Sequence, residues 1–144
     1  MNNKYKAISD WLLNYTPIGN WLYFNVTNVE LDNSSLNSVS GPRYLNRFID
    51  GSVECELGFT INLVKSYDTG TSDTNLEALE ECHKLMKWCE DQVRDGNLPV
   101  FDNCIVNSLE ILQDTPSLAV DEDQSLARYQ IQGQVNYLEL KGDN

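Results

Sequence analysis

The residues of this chain best equipped for chemistry are four cysteines, Cys55, Cys82, Cys89 and Cys104, and a single histidine, His83. Thiols and an imidazole make a nucleophile with its base, or the ligands of a zinc ion, when their spacing brings them together. Here the spacing does neither. No close CxxC pair is present, and one imidazole is too few to complete a zinc site. Cys82 and Cys89, placed on one helix, stand roughly 10 Å apart along its axis, too far to share an ion or form a disulfide. His83 follows Cys82 directly and so points in another direction on a helix. The thiols are therefore expected to be reduced and buried. Asp121, Glu122 and Asp123 offer oxygen ligands for calcium but lack the alternating spacing of an EF-hand loop, and they read as a solvated turn. The sequence contains no GxSxG, HExxH, phosphate-loop or dinucleotide fingerprint, and nothing marks out a carboxylate pair for hydrolysis. The expectation is a protein that is not an enzyme and uses no cofactor and no metal.

Charge narrows the partners further. Ten basic residues against 22 acidic ones leave a net charge of −12, which repels phosphate backbones and anionic headgroups. Neither sequence-specific nucleic-acid binding nor membrane binding is expected. The first residues, MNNKYKAISDWLL, carry two lysines, but Ser9 and Asp10 interrupt the apolar positions, so neither a signal peptide nor a spanning helix can be drawn. The chain is expected to stay where it is translated. At 144 residues it is long enough for one core and short for two, so residues 1–144 read as a single domain.

The elements that would carry a site follow from periodicity. Tyr5, Ile8, Trp11, Leu12 and Tyr15 recur at helical spacing and predict a first helix over 3–15, closed by Pro17 and Gly19. Trp21–Val26 reads as a buried strand. The segment 31–42, rich in Asn and Ser, reads as a mobile loop able to order on contact. Asp50 and Gly51 predict a tight hairpin turn between strands at 44–49 and 53–65. On the second arm Val53, Cys55, Leu57, Phe59, Ile61 and Leu63 alternate with polar residues or glycine; burying those side chains is worth roughly 10 kcal/mol before the ordering entropy is subtracted. Thr74 and Glu77 have the spacing of a capping box. They open a long helix whose stripe is Leu76, Leu79, Cys82, Leu85, Met86, Cys89 and Val93, and which Gly96 and Pro99 stop. Trp88 lies at the margin of that stripe, where it either anchors a partner or is partly buried. Residues 104–112 predict another strand, and 113–125 an acidic connector. With the final strand at 126–140 the layout is α+β, a mixed or antiparallel sheet of about five strands with two helices packed on one face. No sequence repeat and no low-complexity tract is present.

The final strand carries the clearest pattern. Ala127, Tyr129, Ile131, Val135 and Tyr137 occupy one parity and Arg128, Gln130, Gln132, Gln134 and Asn136 the other, so one face is apolar and the opposite face is mostly neutral amide. A face of amides offers hydrogen bonds without charge. It suits either plain solvation or a wetted contact with another protein.

Three segments together resemble a known family: RYLNRFIDGSVECELGFTI at 43–61, KWCEDQVRDGNLPVF at 87–101 and LARYQIQGQVNYLEL at 126–140. They are similar to the tail terminator, or tail completion, proteins of long-tailed phages and prophages of Gram-positive bacteria, also called minor capsid proteins. The resemblance covers most of the chain from Arg43 onward. It implies a structural protein of the virion, at the head-proximal end of the tail and made in the host cytoplasm. In that role copies form a ring, usually hexameric, that caps the major tail tube protein, halts its polymerisation and joins the head–tail connector protein. On this chain the candidate contacts with neighbouring subunits or the tube are Arg43, Arg47 and Asp50 near the hairpin, and Arg128, Gln130, Gln132 and Gln134 on the last strand, with a scaffold role the alternative for each. For the arginines, pairing within one subunit is the alternative, worth ~0–1 kcal/mol. Acidic residues around a central channel would repel DNA and let it slide. Two other readings stay open: a monomeric head–tail adaptor, and a small ligand-binding domain or enzyme with a pocket between helix and sheet.

Overall fold

The computed structural model describes residues 4–15, 23–24, 34–39, 43–66, 73–120 and 126–141. Its elements, in chain order, are α1 (Lys4–Leu12), β1 (Tyr23–Phe24), β2 (Ser34–Ser38), β3 (Arg43–Arg47), β4 (Val53–Ser66), α2 (Asp73–Arg94), β5 (Cys104–Ile111), β6 (Ser117–Val120) and β7 (Leu126–Glu139). This is a single mixed α+β domain, with both helices on one face of the sheet.

Two 14-residue strands, β4 and β7, form the spine and pair antiparallel along their whole length, from Val53↔Glu139 to Ser66↔Leu126. The register pairs odd residues with odd and even with even, so the apolar parity of each strand meets that of the other. Cys55, Leu57, Phe59, Ile61 and Leu63 on β4 and Ala127, Tyr129, Ile131, Val135 and Tyr137 on β7 are all buried. Ile8, Trp11 and Leu12 of α1 and Ala78, Cys82, Leu85, Met86 and Cys89 of α2 close over that face.

Short strands line both sides of the spine. β2 pairs with residues 59–63 of β4 and β3 with residues 53–56, end to end along one edge. On the other edge β5 pairs with residues 133–139 of β7 and β6 with residues 127–130. The chain thus uses one arrangement twice: a helix, then two short strands, then the long strand they flank. β1, two residues long, adds to β2 in the parallel sense.

Two segments depart from the sequence-based expectation. Residues 34–38, within the stretch expected to be a loop over 31–42, form β2, because Leu36 pairs with Ile61 and is fully buried while the serines and Asn37 complete the ladder. Residues 117–120, within the expected connector, form β6, whose side chains are all exposed. Both are short strands whose pairing is decided by the long strand beside them, so their own composition gives little sign of it. The helix beginning at Asp73 also sets Thr74 inside its first turn, one or two residues past the position a capping box requires. The expected strand over Trp21–Val26 is described only at β1, and Asp121, Glu122 and Asp123 lie outside the described residues.

The helices are tied down by aromatic contacts. Trp88 packs against Trp11 at 5.0 Å and Tyr15 at 5.4 Å between ring centroids, and the Trp11 indole donates to the carbonyl of Asn97 at 2.8 Å. Trp88 is therefore spent on joining α1 to α2. Tyr137 meets Phe101 edge to face, with the Lys4 ammonium 5.4 Å from its ring centre.

Candidate interaction surface

The face of the sheet opposite the helices is the surface on which most of the sequence-predicted residues meet. Arg128, Gln130, Gln132 and Gln134 lie on it in a line along β7. Their cross-strand neighbours on β4 are Val64, Asn62, Thr60 and Gly58, and beyond these on β2 stand Ser35 opposite Asn62 and Asn37 opposite Thr60. Register thus assembles a band of Ser35, Asn37, Thr60, Asn62, Gln130, Gln132 and Gln134, all polar and none charged. Charges sit at its ends: Arg128 at one, Glu54 and Glu56 at the other, with Arg43 opposite Glu56 by register.

The middle of this band is well ordered by its own hydrogen bonds. Asn37 Nδ2 donates to Ser35 Oγ at 3.2 Å, and both Ser35 and Thr60 keep less than a tenth of their surface exposed. The Gln113 side chain accepts the Gln132 backbone N–H at 3.1 Å and donates to Ser117 Oγ at 3.0 Å, stitching the gap between β5 and β6. The Gln132 side chain itself remains exposed. Asn62 Oδ1 is shielded from solvent without a hydrogen-bond partner, a local cost of ~1–3 kcal/mol.

Arg47 and Asp50 do not join this face. Arg47 pairs with Val53, on the helix side of the sheet, and its guanidinium lies 5.3 Å from the Tyr44 ring centre. Asp50 belongs to the turn. The hairpin has three loop residues, Ile49, Asp50 and Gly51, closed by Phe48 N–H donating to Ser52 O at 2.9 Å and Gly51 N–H to Phe48 O at 3.0 Å. Only Gly51 takes positive φ, at 92°, so this is a longer turn than a two-residue Asp-Gly link. The Ser52 hydroxyl and amide donate to Asp50 Oδ1 at 2.6 and 2.9 Å.

Those two donors hold the Asp50 carboxyl below its usual value of 3.8. A group depressed in the folded state stabilises it above the unfolded value and loses that contribution as pH falls through the folded value. The hairpin is therefore expected to be at full strength above ~pH 4 and to loosen below it. Asp50→Asn should flatten the acid limb of a stability–pH profile; an unchanged limb would show that the turn draws nothing from this charge.

The cysteines lie on the opposite side, in the core. Cys55, Cys82 and Cys89 are buried and Cys104 is partly so, with desolvation pushing the Cys82 and Cys89 thiols up to about 12. Thiols so raised hold little thiolate at neutral pH. Mildly alkaline iodoacetamide is expected to label Cys104 first, and Cys82 and Cys89 only as fast as the chain opens. Prompt labelling of either helical cysteine would contradict the packing of α2. Among the described residues no three His, Cys, Asp or Glu side chains come together as a metal site, and no helix is long and apolar enough to cross a membrane.

No protein-family model and no curated protein matches this chain.

A cleft of ≈350 Å³ lies between α1 and the segment 98–100, lined by Lys6, Ala7, Asp10, Trp11, Asn14, Leu98, Pro99 and Val100. It runs beside the helix rather than between helix and sheet. Its charged groups, Lys6 and Asp10, bind each other at 3.2 Å, which leaves little directed polarity for a small ligand. The polar band across β2, β4 and β7 is the better-formed surface. Sequence reasoning reached its β7 row and read the even residues of β4 only as the polar side of an alternating strand; it missed Ser35 and Asn37 because their strand looked like a loop, and Gln113 because its contact spans a turn.

Proposed function

We propose that this chain acts by shape, as a tail terminator: copies assemble into a ring, usually hexameric, that caps the tail tube, stops its growth and joins it to the head connector. The observation that carries this reading is the uncharged polar band on the free face of the β4–β7 spine. Side-chain amides on a rigid ladder make many hydrogen bonds of similar strength without the desolvation penalty of charges, which suits repeated docking against identical subunits. A rigid backbone also keeps the ordering cost of docking small. The sequence resemblance supports the same reading, and the net charge of −12 suits a ring through which DNA must pass without sticking.

The direct test is tail length in particles that lack this protein. Tubes of irregular and excessive length, unattached to heads, are the expected result. Tails of ordinary length joined to heads would end the proposal.

A further inference from the structure

We infer that the free edge of β5 in one copy pairs with the free edge of β3 in the next, so that the sheets of a ring join edge to edge through their backbones. This rests on the ring reading above and names the interface that such a ring would use.

Three observations place the two edges in relation. First, β3 and β5 lie at the same end of the sheet and in the same cross-strand rows. Arg43, Glu56, Asn136 and Ser108 form one row, and Arg47, Val53, Glu139 and Cys104 another. Among the described residues, neither strand has a partner on its outer side, whereas β2, at the other end, is covered by β1.

Second, the directions are compatible. At this end the strand order is β3, β4, β7, β5, and every neighbouring pair is antiparallel. Four strands alternating in direction leave β5 running opposite to β3. A copy related by rotation about an axis along the strands therefore presents its β3 antiparallel to this β5, and the alternation continues around the ring.

Third, the edges differ in charge. β3 contains Arg43 and Arg47 and no acid. β5 contains Glu110 and no base, and Asp102 and Asp114 flank it. A chain with 22 acidic and 10 basic residues thus has one edge strand with two bases and no acid and another with an acid and no base. With the rows continued straight across, Arg43 of the next copy falls beside Ser108, two residues along β5 from Glu110, and Arg47 beside Cys104, at the strand end that follows the turn containing Asp102. Arginine reaches a diagonal strand neighbour such as Glu110. Opposite edges attract, like edges repel, and the contact is head to tail. Tyr44, Phe48 and Ile105, all exposed, add apolar area at the seam.

The experiment compares three full-length proteins by analytical ultracentrifugation up to millimolar concentration. The first is wild type, the second Arg43→Glu with Arg47→Glu, and the third Asp102→Lys with Glu110→Lys. Each double variant alone is expected to lose self-association at least ~tenfold, and an equimolar mixture to recover it, because each supplies the edge the other lacks. Backbone pairing should also slow amide hydrogen exchange in β3 and β5 together on assembly. Variants that associate like wild type, a mixture that fails to recover, or a wild-type chain that stays monomeric throughout would each overturn the inference. Failure here with overlong tails in the deletion leaves the cap standing; edge rescue with normal tails in the deletion removes the cap and keeps the edge pairing.

Discussion

Gly133→Ala is expected to destabilise the fold by about 2–3 kcal/mol, and Gly133→Val by more. Gly133 stands directly across from Phe59 in the β4–β7 ladder, and the Phe59 ring covers the place where a side chain would begin. A Cβ at this position would lie 2.3 Å from Phe59 Cζ and under 3.0 Å from two further ring carbons. The ring cannot swing aside, since Phe59 is 1% exposed and enclosed by the core. Removing a glycine restricts the unfolded chain and favours folding by ~0.4–1 kcal/mol where the backbone permits, which is smaller than the clash and opposite in sign. The net effect is therefore a loss, visible as a lower urea midpoint at unchanged slope. Phe59→Leu should rescue part of it, so that in a double-mutant cycle the double variant loses well less than the sum of the two single losses. A Gly133→Ala protein within ~0.5 kcal/mol of wild type would mean that the ring does not occupy that space.

That pair also shows how far the sequence could be read. The parity of β7 was legible, and all five of its odd apolar positions are buried. The reason for a glycine at 133 within that row was not, because it depends on the register that sets Phe59 opposite, and register is a non-local fact. The same limit hid β2 and β6. A strand over Ser34–Ser38 holds one core residue, Leu36, and a strand over Ser117–Val120 has every side chain exposed. Hydrophobic periodicity needs several buried positions to show, and strands of four or five residues supply too few. Leu76 errs the other way: it sits on the expected stripe of α2 but is more than half exposed, because the first turn of that helix runs past the buried cluster. For the interaction surface, sequence gave one row of the band with the correct facing, and strand pairing supplied the rows beside it.

Gln132→Lys separates the surface from the scaffold. Its side chain is exposed and directed away from the core, so folding stability should stay within ~0.5 kcal/mol of wild type. Under the docking proposed above, assembly is expected to suffer strongly. An amide placed in a subunit or tube contact exchanges water hydrogen bonds for protein ones at small net cost, whereas an unpaired ammonium in the same place gives up several kcal/mol of hydration. At ~1.4 kcal/mol per tenfold, a loss of even ~3 kcal/mol per contact weakens each one about a hundredfold, and a ring repeats the penalty in every copy. Long-range charge works in the opposite direction, since an added lysine reduces a net charge of −12 and would by itself ease association. Gln132→Glu supplies the control: a contact at this face makes both substitutions harmful, while a purely global charge effect makes only the glutamate harmful. The readouts are the sedimentation of the free protein and tail length in particles carrying each variant. Normal rings and normal tails with both Gln132→Lys and Gln132→Glu would place the docking surface elsewhere, and the amide face of β7 would then be solvated and nothing more.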